Sequence, residues 1–258
     1  YKWLGRRNDP NRSEKDQARL DEFVKDIHSH YPTMGYRQVR DSLLLQTDLK
    51  ACDVSVWKSM KRLGIKGYMR TNRYSYSTKR EHIEIPNVLS RQFNAERPLE
   101  KVASDITYIK HQGKWFFLVC FLDLFNNEVV EWELSESLHG NFVSQSAKRL
   151  LEKAKCTGIP ILMHSDQGNQ YKAIDYRVLL TKYNAIQSMS RSGTPRDNAV
   201  IESFFGRFKE VLRAQFQYHK SDNLRDSISR TIDYFNFIRP IRKLNGKPPV
   251  QFRIEQVA

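Results

Sequence analysis

Asp105 falls within Ser104-Asp105-Ile106-Thr107-Tyr108, a run of β-branched and aromatic residues that reads as the interior of a strand. Such positions seldom hold an uncompensated carboxylate, because desolvating the charge is costly. Asp166 follows a short apolar run in His164-Ser165-Asp166-Gln167-Gly168. It sits beyond the carboxyl end of a strand, where open α/β sheets gather their ligands. Glu202 lies near the start of a long amphipathic segment, in Asn198-Ala199-Val200-Ile201-Glu202. Singly, each has a plain explanation: an ion pair with Lys for Asp105, a turn cap for Asp166, a favourable helix N-terminus for Glu202. Together they offer three hard oxygen ligands from separate elements. That set suits two Mg²⁺ ions, about 4 Å apart, clamping the attacking and leaving oxygens of an in-line displacement at phosphorus. Mn²⁺ would substitute in the same donor set.

The elements that must position these groups follow from periodicity. Val102 to Lys110, Lys114 to Asp123 and Glu128 to Leu134 read as three antiparallel strands, the first two joined through His-Gln-Gly. A helix over Asn141 to Ala154, a strand over Ile159 to His164, a helix over Tyr171 to Tyr183 and a strand over Ala185 to Ser188 come next. Ser190 to Arg196 carries Gly193 and Pro195 and reads as a loop. In the helix after Asn198, which is placed as its N-cap, Ile201, Phe204, Phe205, Phe208, Val211 and Leu212 form the buried stripe. Glu202, Gly206, Lys209 and Arg213 share an adjoining face, so Lys209 and Arg213 would follow a nucleic-acid backbone outward from the carboxylates, with Gly206 permitting close approach. A solvated charge face is the plain alternative for Arg213. The order describes a mixed sheet flanked by helices. A last helix spans Leu224 to Phe237, stopped by Arg239-Pro240 and followed by a basic tail.

Ahead of this lie three short helical patterns: one from Ser13, with Asp16 completing a capping box, to Pro32; one over Tyr36 to Leu45; one over Asp53 to Leu63, closed by Gly64. They describe a helix-turn-helix module. Arg37, Lys58, Lys61, Arg62, Lys66, Arg70 and Arg73 are its candidate phosphate contacts, and Lys58 to Arg80 holds eight Lys or Arg and no acid. Tyr68, Tyr74 and Tyr76 interleave this stretch, which reads as a DNA-tracking arm or a solvated linker.

The whole-chain balance agrees. Across 258 residues there are 43 Lys and Arg against 29 Asp and Glu, a formal net charge of +14 that favours a polyanionic partner. The longest apolar run, Trp115 to Leu122, is too short to span a bilayer, and the first residues lack the apolar core of a secretory signal. Cys52, Cys120 and Cys156 are widely spaced and read as reduced core residues rather than a disulfide or zinc framework. The chain opens on Tyr1 rather than Met, as part of a longer product would.

Thirty-five residues separate Asp166 from Glu202, and the stretches around the three acids resemble the insertion sequence 3 family of bacterial transposases, the Asp-Asp-Glu group related to retroviral integrases. The likeness is carried by Asp105-Ile106-Thr107-Tyr108-Ile109, by Leu122-Asp123-Leu124-Phe125, by His164 through Tyr171, and by Ser188 through Ala199 leading into Glu202-Ser203-Phe204-Phe205. Lys209, Tyr234-Phe235-Asn236 with Arg239, and Leu244-Asn245-Gly246 extend it, as do Met34-Gly35-Tyr36-Arg37 and Lys61 through Ile65 upstream. One departure is Val102-Ala103-Ser104, where the family often has Trp before the first Asp.

The resemblance implies a ribonuclease H-like mixed five-stranded sheet preceded by a small all-α helix-turn-helix domain. It implies Asp105, Asp166 and Glu202 as catalytic metal ligands, with His164 and Asp197 standing behind them. It further implies cleavage at the element's terminal inverted repeats, transfer of the 3′-hydroxyl to target DNA, a homo-oligomer on double-stranded DNA, and a bacterial cytoplasmic, nucleoid-associated setting. A nuclease that cuts without joining, a ribonuclease H and a regulator that has lost activity are the rivals. The expected divisions are 1–66 for the helix-turn-helix, 67–97 for the connector, 98–220 for the catalytic core and 221–258 for the C-terminal helix and tail.

Overall fold

The computed structural model describes residues 12–68, 85–138, 141–154, 158 and 160–257. Arg70 and Arg73 lie outside them, as do Tyr74, Tyr76 and Cys156.

Three helices open the chain: α1 (Arg12–His30), α2 (Tyr36–Gln46) and α3 (Asp53–Arg62). Leu20, Val24 and Ile27 of α1, Val39 and Leu43 of α2, and Val56 and Met60 of α3 are all buried, as their helical spacing requires. α1 is described from Arg12 onward, and the expected cap at Ser13 concerns a side chain outside the described ones. Gly64 ends α3 at φ +67°, letting the Ile65 N–H reach back to the Met60 carbonyl at 3.0 Å. Cys52, expected in the core, is exposed at the start of α3, while Cys120 is buried as expected. Gly67 brings the chain back over α2's approach: a Cβ there would lie 2.9 Å from the Met34 carbonyl oxygen, and the Tyr68 N–H donates to the Pro32 carbonyl.

The sheet contains β1 (Lys101–His111), β2 (Lys114–Asp123), β3 (Val129–Ser135), β4 (Leu162–Ser165) and β5 (Ile186–Met189) in the order β3-β2-β1-β4-β5. β1, β2 and β3 pair antiparallel, while β4 and β5 join β1's other edge in parallel. Residues alternate between two apolar layers. Val102, Val119 and Phe121 face α4 (Phe142–Ala154) and α6 (Ile174–Lys182) through Val143, Ala147, Leu150 and Leu180. Ala103, Leu118, Cys120 and Leu122 face α7 (Ala199–Ala214) and α8 (Leu224–Asp233). That second layer also contains Val24, Val39 and Val56, so the N-terminal helices share one apolar core with the sheet.

Three elements differ from the sequence reading. The helix expected over Tyr171 to Tyr183 is two, α5 (Asn169–Lys172) and α6, separated at Ala173, whose ψ of 141° is extended. The last long helix passes into a π turn over Tyr234–Ile238. There the Asn236 amide accepts from the Val129 N–H at 2.9 Å and donates to its carbonyl at 3.0 Å, taking the place of a neighbouring strand. The tail is also not simply basic, because Pro249–Val257 forms α9, held by a two-bond contact from Arg253 to Glu128.

Candidate active site

The parallel register brings two acids to one place. Ser104 of β1 pairs with Ser165 of β4, the last residues at which these strands run together. Asp105 and Asp166 are the next residues on each, so they flank the cleft where β4 ends and β1 continues paired only to β2. Such a split at the carboxyl end of parallel strands is where a sheet leaves room for a ligand. Glu202 arrives from the first turn of α7, whose stripe of Ile201, Phe204, Phe205 and Phe208 packs into the β1 side of the core. Glu202 is on the exposed face of that helix, as its position beside the stripe requires.

The three carboxylates act on one another. Asp105 is half-buried, and burial followed by the negative charge of Asp166 pushes its pKa up to about 8, with Glu202 adding to the rise. Its Oδ1 accepts from the Ile106 N–H at 2.8 Å, and the Lys209 ammonium opposes the shift. Asp166 is raised by desolvation against a hydrogen bond from the Gly168 N–H, 2.9 Å from Oδ1, and against Lys172. Glu202 is raised by desolvation and then by Asp166. Asp166 and Glu202 are open to solvent, so their desolvation is partial, and for Glu202 the like charge of Asp166 is the firmer contribution. Among the described residues, no three His, Cys, Asp or Glu groups are close enough to form a finished coordination cage.

Neutral groups form the floor. The Tyr171 hydroxyl, fully buried, lies 2.8 Å from the Ser104 hydroxyl, and burial plus the charges of Asp105 and Asp166 hold it protonated. Cys120, across from Asp105 in the register, is likewise kept as a thiol. Gly168 leaves room for the acid: a Cβ there would meet Asp166 Oδ1 at 2.9 Å, so the carboxylate would have to shift. Tyr171 and Gly168 belong to the stretch that carries the family likeness, yet their steric and polar roles have no signal in spacing.

His164 is buried and fully engaged. Its Nε2–H donates to the Asp197 carbonyl at 3.0 Å, because a carbonyl only accepts, which leaves Nδ1 to accept from the Ser188 hydroxyl at 2.8 Å. Burial lowers its pKa, and the ring ties β4 to β5 and to the turn before α7. The Asp197 side chain has no exposed surface and is gripped by Arg91 at 2.6 Å, Arg191 at 2.9 Å and the Asn87 amide at 2.9 Å. Those donors, Arg191 first, hold its pKa well below the usual carboxylate range. The partners Asn87 and Arg91 come from the expected connector, more than a hundred positions away, and nothing in the sequence singled them out. Asn198 occupies the N-cap position of α7, but its side chain makes no capping bond, and both amide atoms are buried without a partner among the described residues.

The basic residues divide. Lys209 lies near Asp105 and over the Tyr108 ring, 5.3 Å from its centroid. Arg213 is exposed further along α7, and a Cβ at Gly206 would meet no atom within 4 Å. Lys58, Lys61 and Lys66 are exposed, Lys61 over Trp57. Arg37 stacks on Tyr36 with Asp53 at 3.9 Å. Arg62 instead spends its guanidinium on Asp21, at 2.6 and 3.2 Å, and so braces α3 on α1.

A five-stranded ribonuclease H-like sheet with acids at the β1–β4 split defines an integrase-type polynucleotidyl transferase core, and the integrase core domain family matches residues 95–195 and again 184–249. The chain is 34% identical over 245 residues, covering 95% of itself and 84% of the relative, to the protein assigned as transposase InsK of insertion sequence element IS150 from Escherichia coli K12. It is 31% identical over 173 residues to transposase InsF for insertion sequence IS3A of the same organism, covering 67% of this chain and 60% of that one. The fold alone is shared with the HTLV-2 integrase catalytic core domain, solved with magnesium in a trimeric form, at a TM-score of 0.50 and 16% identity over 61% of this chain and 98% of that one. The chain belongs to the insertion sequence 3 family of transposases.

Proposed function

We propose that this transposase cuts the ends of its element and joins the freed 3′-hydroxyls to target DNA, using Asp105, Asp166 and Glu202 as ligands for two Mg²⁺ ions, with Mn²⁺ as a substitute. The observation that carries this reading is the meeting of Asp105 and Asp166 at the end of the β1–β4 register, with Glu202 within electrostatic reach of both. Asp166 raises both Asp105 and Glu202, and Glu202 adds to the rise of Asp105, so the negative charge of the site is unbalanced until cations arrive. When bound, the ions supply charge stabilisation for the attacking and leaving oxygens at phosphorus.

The chain's own residues do the positioning. Gly168 and Ile106 orient Asp166 and Asp105 through their N–H groups. His164 and Asp197 fix the turn from which α7 presents Glu202. Lys209 sits beside Asp105 on the path a phosphate would take. Magnesium in the HTLV-2 integrase core supports the choice of metal, and its trimeric form supports a homo-oligomer working on two terminal inverted repeats. In this reading 1–66 is the DNA-binding helix-turn-helix and 98–220 the catalytic core. The protein works on the bacterial nucleoid; among the described residues no helix is long and apolar enough to cross a membrane.

Asp166→Asn and Glu202→Gln are expected to bind element-end DNA as the parent does, yet to lose Mg²⁺-dependent nicking and joining by several orders of magnitude. A precut 3′-hydroxyl end supplied with target DNA separates joining from cutting alone. Joining at the parent rate by either variant would overturn the assignment, and cutting without joined product would reduce the parent to a nuclease.

A further inference from the structure

Between the N-terminal helices and α7 lies a groove of about 850 Å³, away from the carboxylates. Four cationic side chains line it, Arg239, Arg207, Lys61 and Lys66, against one acid, Glu210. Arg239 is the unusual member, being 9% exposed. Burial, with the like charge of Arg207, pushes its pKa down to about 10, so it remains charged at neutral pH. Elsewhere, partly covered guanidiniums face carboxylates: Arg40 meets Asp41 and Asp53, Arg149 meets Glu131 and Glu133, and Arg253 meets Glu128. Arg239, more deeply covered than any of these, forms no ion pair among the described residues, although the charge of Glu210 favours its charged form. A neutral group orients it instead: with the Gln38 amide turned so that both partners are satisfied, its oxygen accepts from Arg239 Nε at 2.7 Å and Nη2 at 3.0 Å. The Thr33 hydroxyl, also lining the groove, is buried beside Tyr234. A buried, oriented cation held by the neutral Gln38 amide, the Tyr234 hydroxyl and the face of the Phe235 ring, with no carboxylate in contact, is a place suited to an anion.

The rim says which anion. Trp57 and Tyr68 line the same groove and are 47% and 43% exposed. Aromatic faces interleaved with cations bind single strands, because an unpaired base offers its face for stacking while a duplex turns those faces inward. We propose that this groove takes an unpaired stretch of the DNA substrate, with a phosphate at Arg239 and Arg207 and a base on Trp57 or Tyr68. The inference rests on the reading of the chain as a DNA-joining enzyme and specifies the form its substrate takes: an end with a frayed or overhanging strand.

The test compares binding of the full chain to a blunt duplex and to the same duplex with a short single-stranded tail, by fluorescence anisotropy at one salt concentration. The tail is expected to tighten binding by at least about ten-fold, the yield of stacking one or two bases. Arg207→Glu and Tyr68→Ala, both at exposed positions, are expected to abolish that ratio, and 5-iodouracil in the tail is expected to crosslink to Trp57 or Tyr68. Equal affinity for the two DNAs, or a ratio that survives both substitutions, overturns the proposal. The same preparations are assayed for Mg²⁺-dependent joining. Joining without a tail preference sinks this inference alone, and a tail preference without joining sinks the proposed function while leaving the groove's assignment in place.

Discussion

Asp105, Gly168 and Asp197 show how little of a side chain's role lies in its own identity. Asp105 is an ordinary carboxylate until the fold buries it and the β1–β4 register sets Asp166 beside it. Gly168 matters because the Asp166 carboxylate occupies the space where its Cβ would be. Gly168→Ala must therefore displace Asp166 Oδ1, and we expect metal affinity and joining rate to fall about 10–100-fold, the usual cost of disturbing a group that orients a ligand. Calorimetric Mn²⁺ titration beside a thermal melt checks this, and an unchanged titration would show that the glycine is incidental. Asp197 offers a pH test. Its folded-state pKa is depressed, so its contribution to stability is complete above the ordinary carboxylate range and is lost as pH falls through the folded value. Arg91 and Arg191 are 43% and 60% exposed, and solvent screens part of the effect. Asp197→Asn should lower the unfolding midpoint by roughly 2–6 °C at pH 7, and the gap to the parent should narrow on acidification below about pH 4. A gap independent of pH would assign the loss to packing.

At the scale of elements, the site depends on where chain segments stop. β4 has four residues, and it ends level with Ser104, so Asp166 leaves the sheet at the point where β1 still carries Asp105. α7 begins where His164 and the Arg91–Asp197–Arg191 cluster fix the preceding turn, and that start sets the rotation that turns Glu202 outward. In the N-terminal module the same economy appears at Gly64. Its φ of +67° lets the chain leave α3 and reach Gly67, which then packs against the Met34 carbonyl. Gly64→Ala has open space for its methyl group and so tests backbone conformation alone. Chemical denaturation should show a loss of about 1 kcal/mol, the cost of a left-handed conformation in a residue with a Cβ. A neutral result would mean that the turn relaxes without penalty.

For the whole molecule, the apolar layer decides how the parts respond together. Val39 and Val56 of the N-terminal helices share a cluster with Phe208, Val211 and Leu212 of α7 and with Ile228 of α8. Residues 86–89 add a second tie, since the Leu89 N–H donates to Ser188 and the Met189 N–H to the Pro86 carbonyl. Elements that bury one another's apolar surface lose it together. Calorimetry is therefore expected to give a single cooperative unfolding transition for the full chain. Two separable transitions, with the first abolished by removing the N-terminal helices, would mean that the shared layer contributes little.

Types and order of the key residues were legible without coordinates, because they depend on local rules. The 3.6-residue stripe of α7, the alternation of β1 and β2, the glycine closing α3 and the three acidic motifs are each properties of a short window. The boundaries that needed distant partners were less legible. Ala173 divides α5 from α6, Asn236 serves β3 in place of a strand, and α9 forms where only a basic tail was read. Arg62 was assigned to DNA by its charge, but folding α1 against α3 gave it Asp21. Periodicity sufficed for a mixed sheet flanked by helices, and the family likeness of the acidic motifs pointed to the ribonuclease H-like class and the candidate acids. Only tertiary packing decided which charges are paired, which stay uncompensated and which backbone N–H groups hold the carboxylates, because those depend on contacts between residues far apart in the chain.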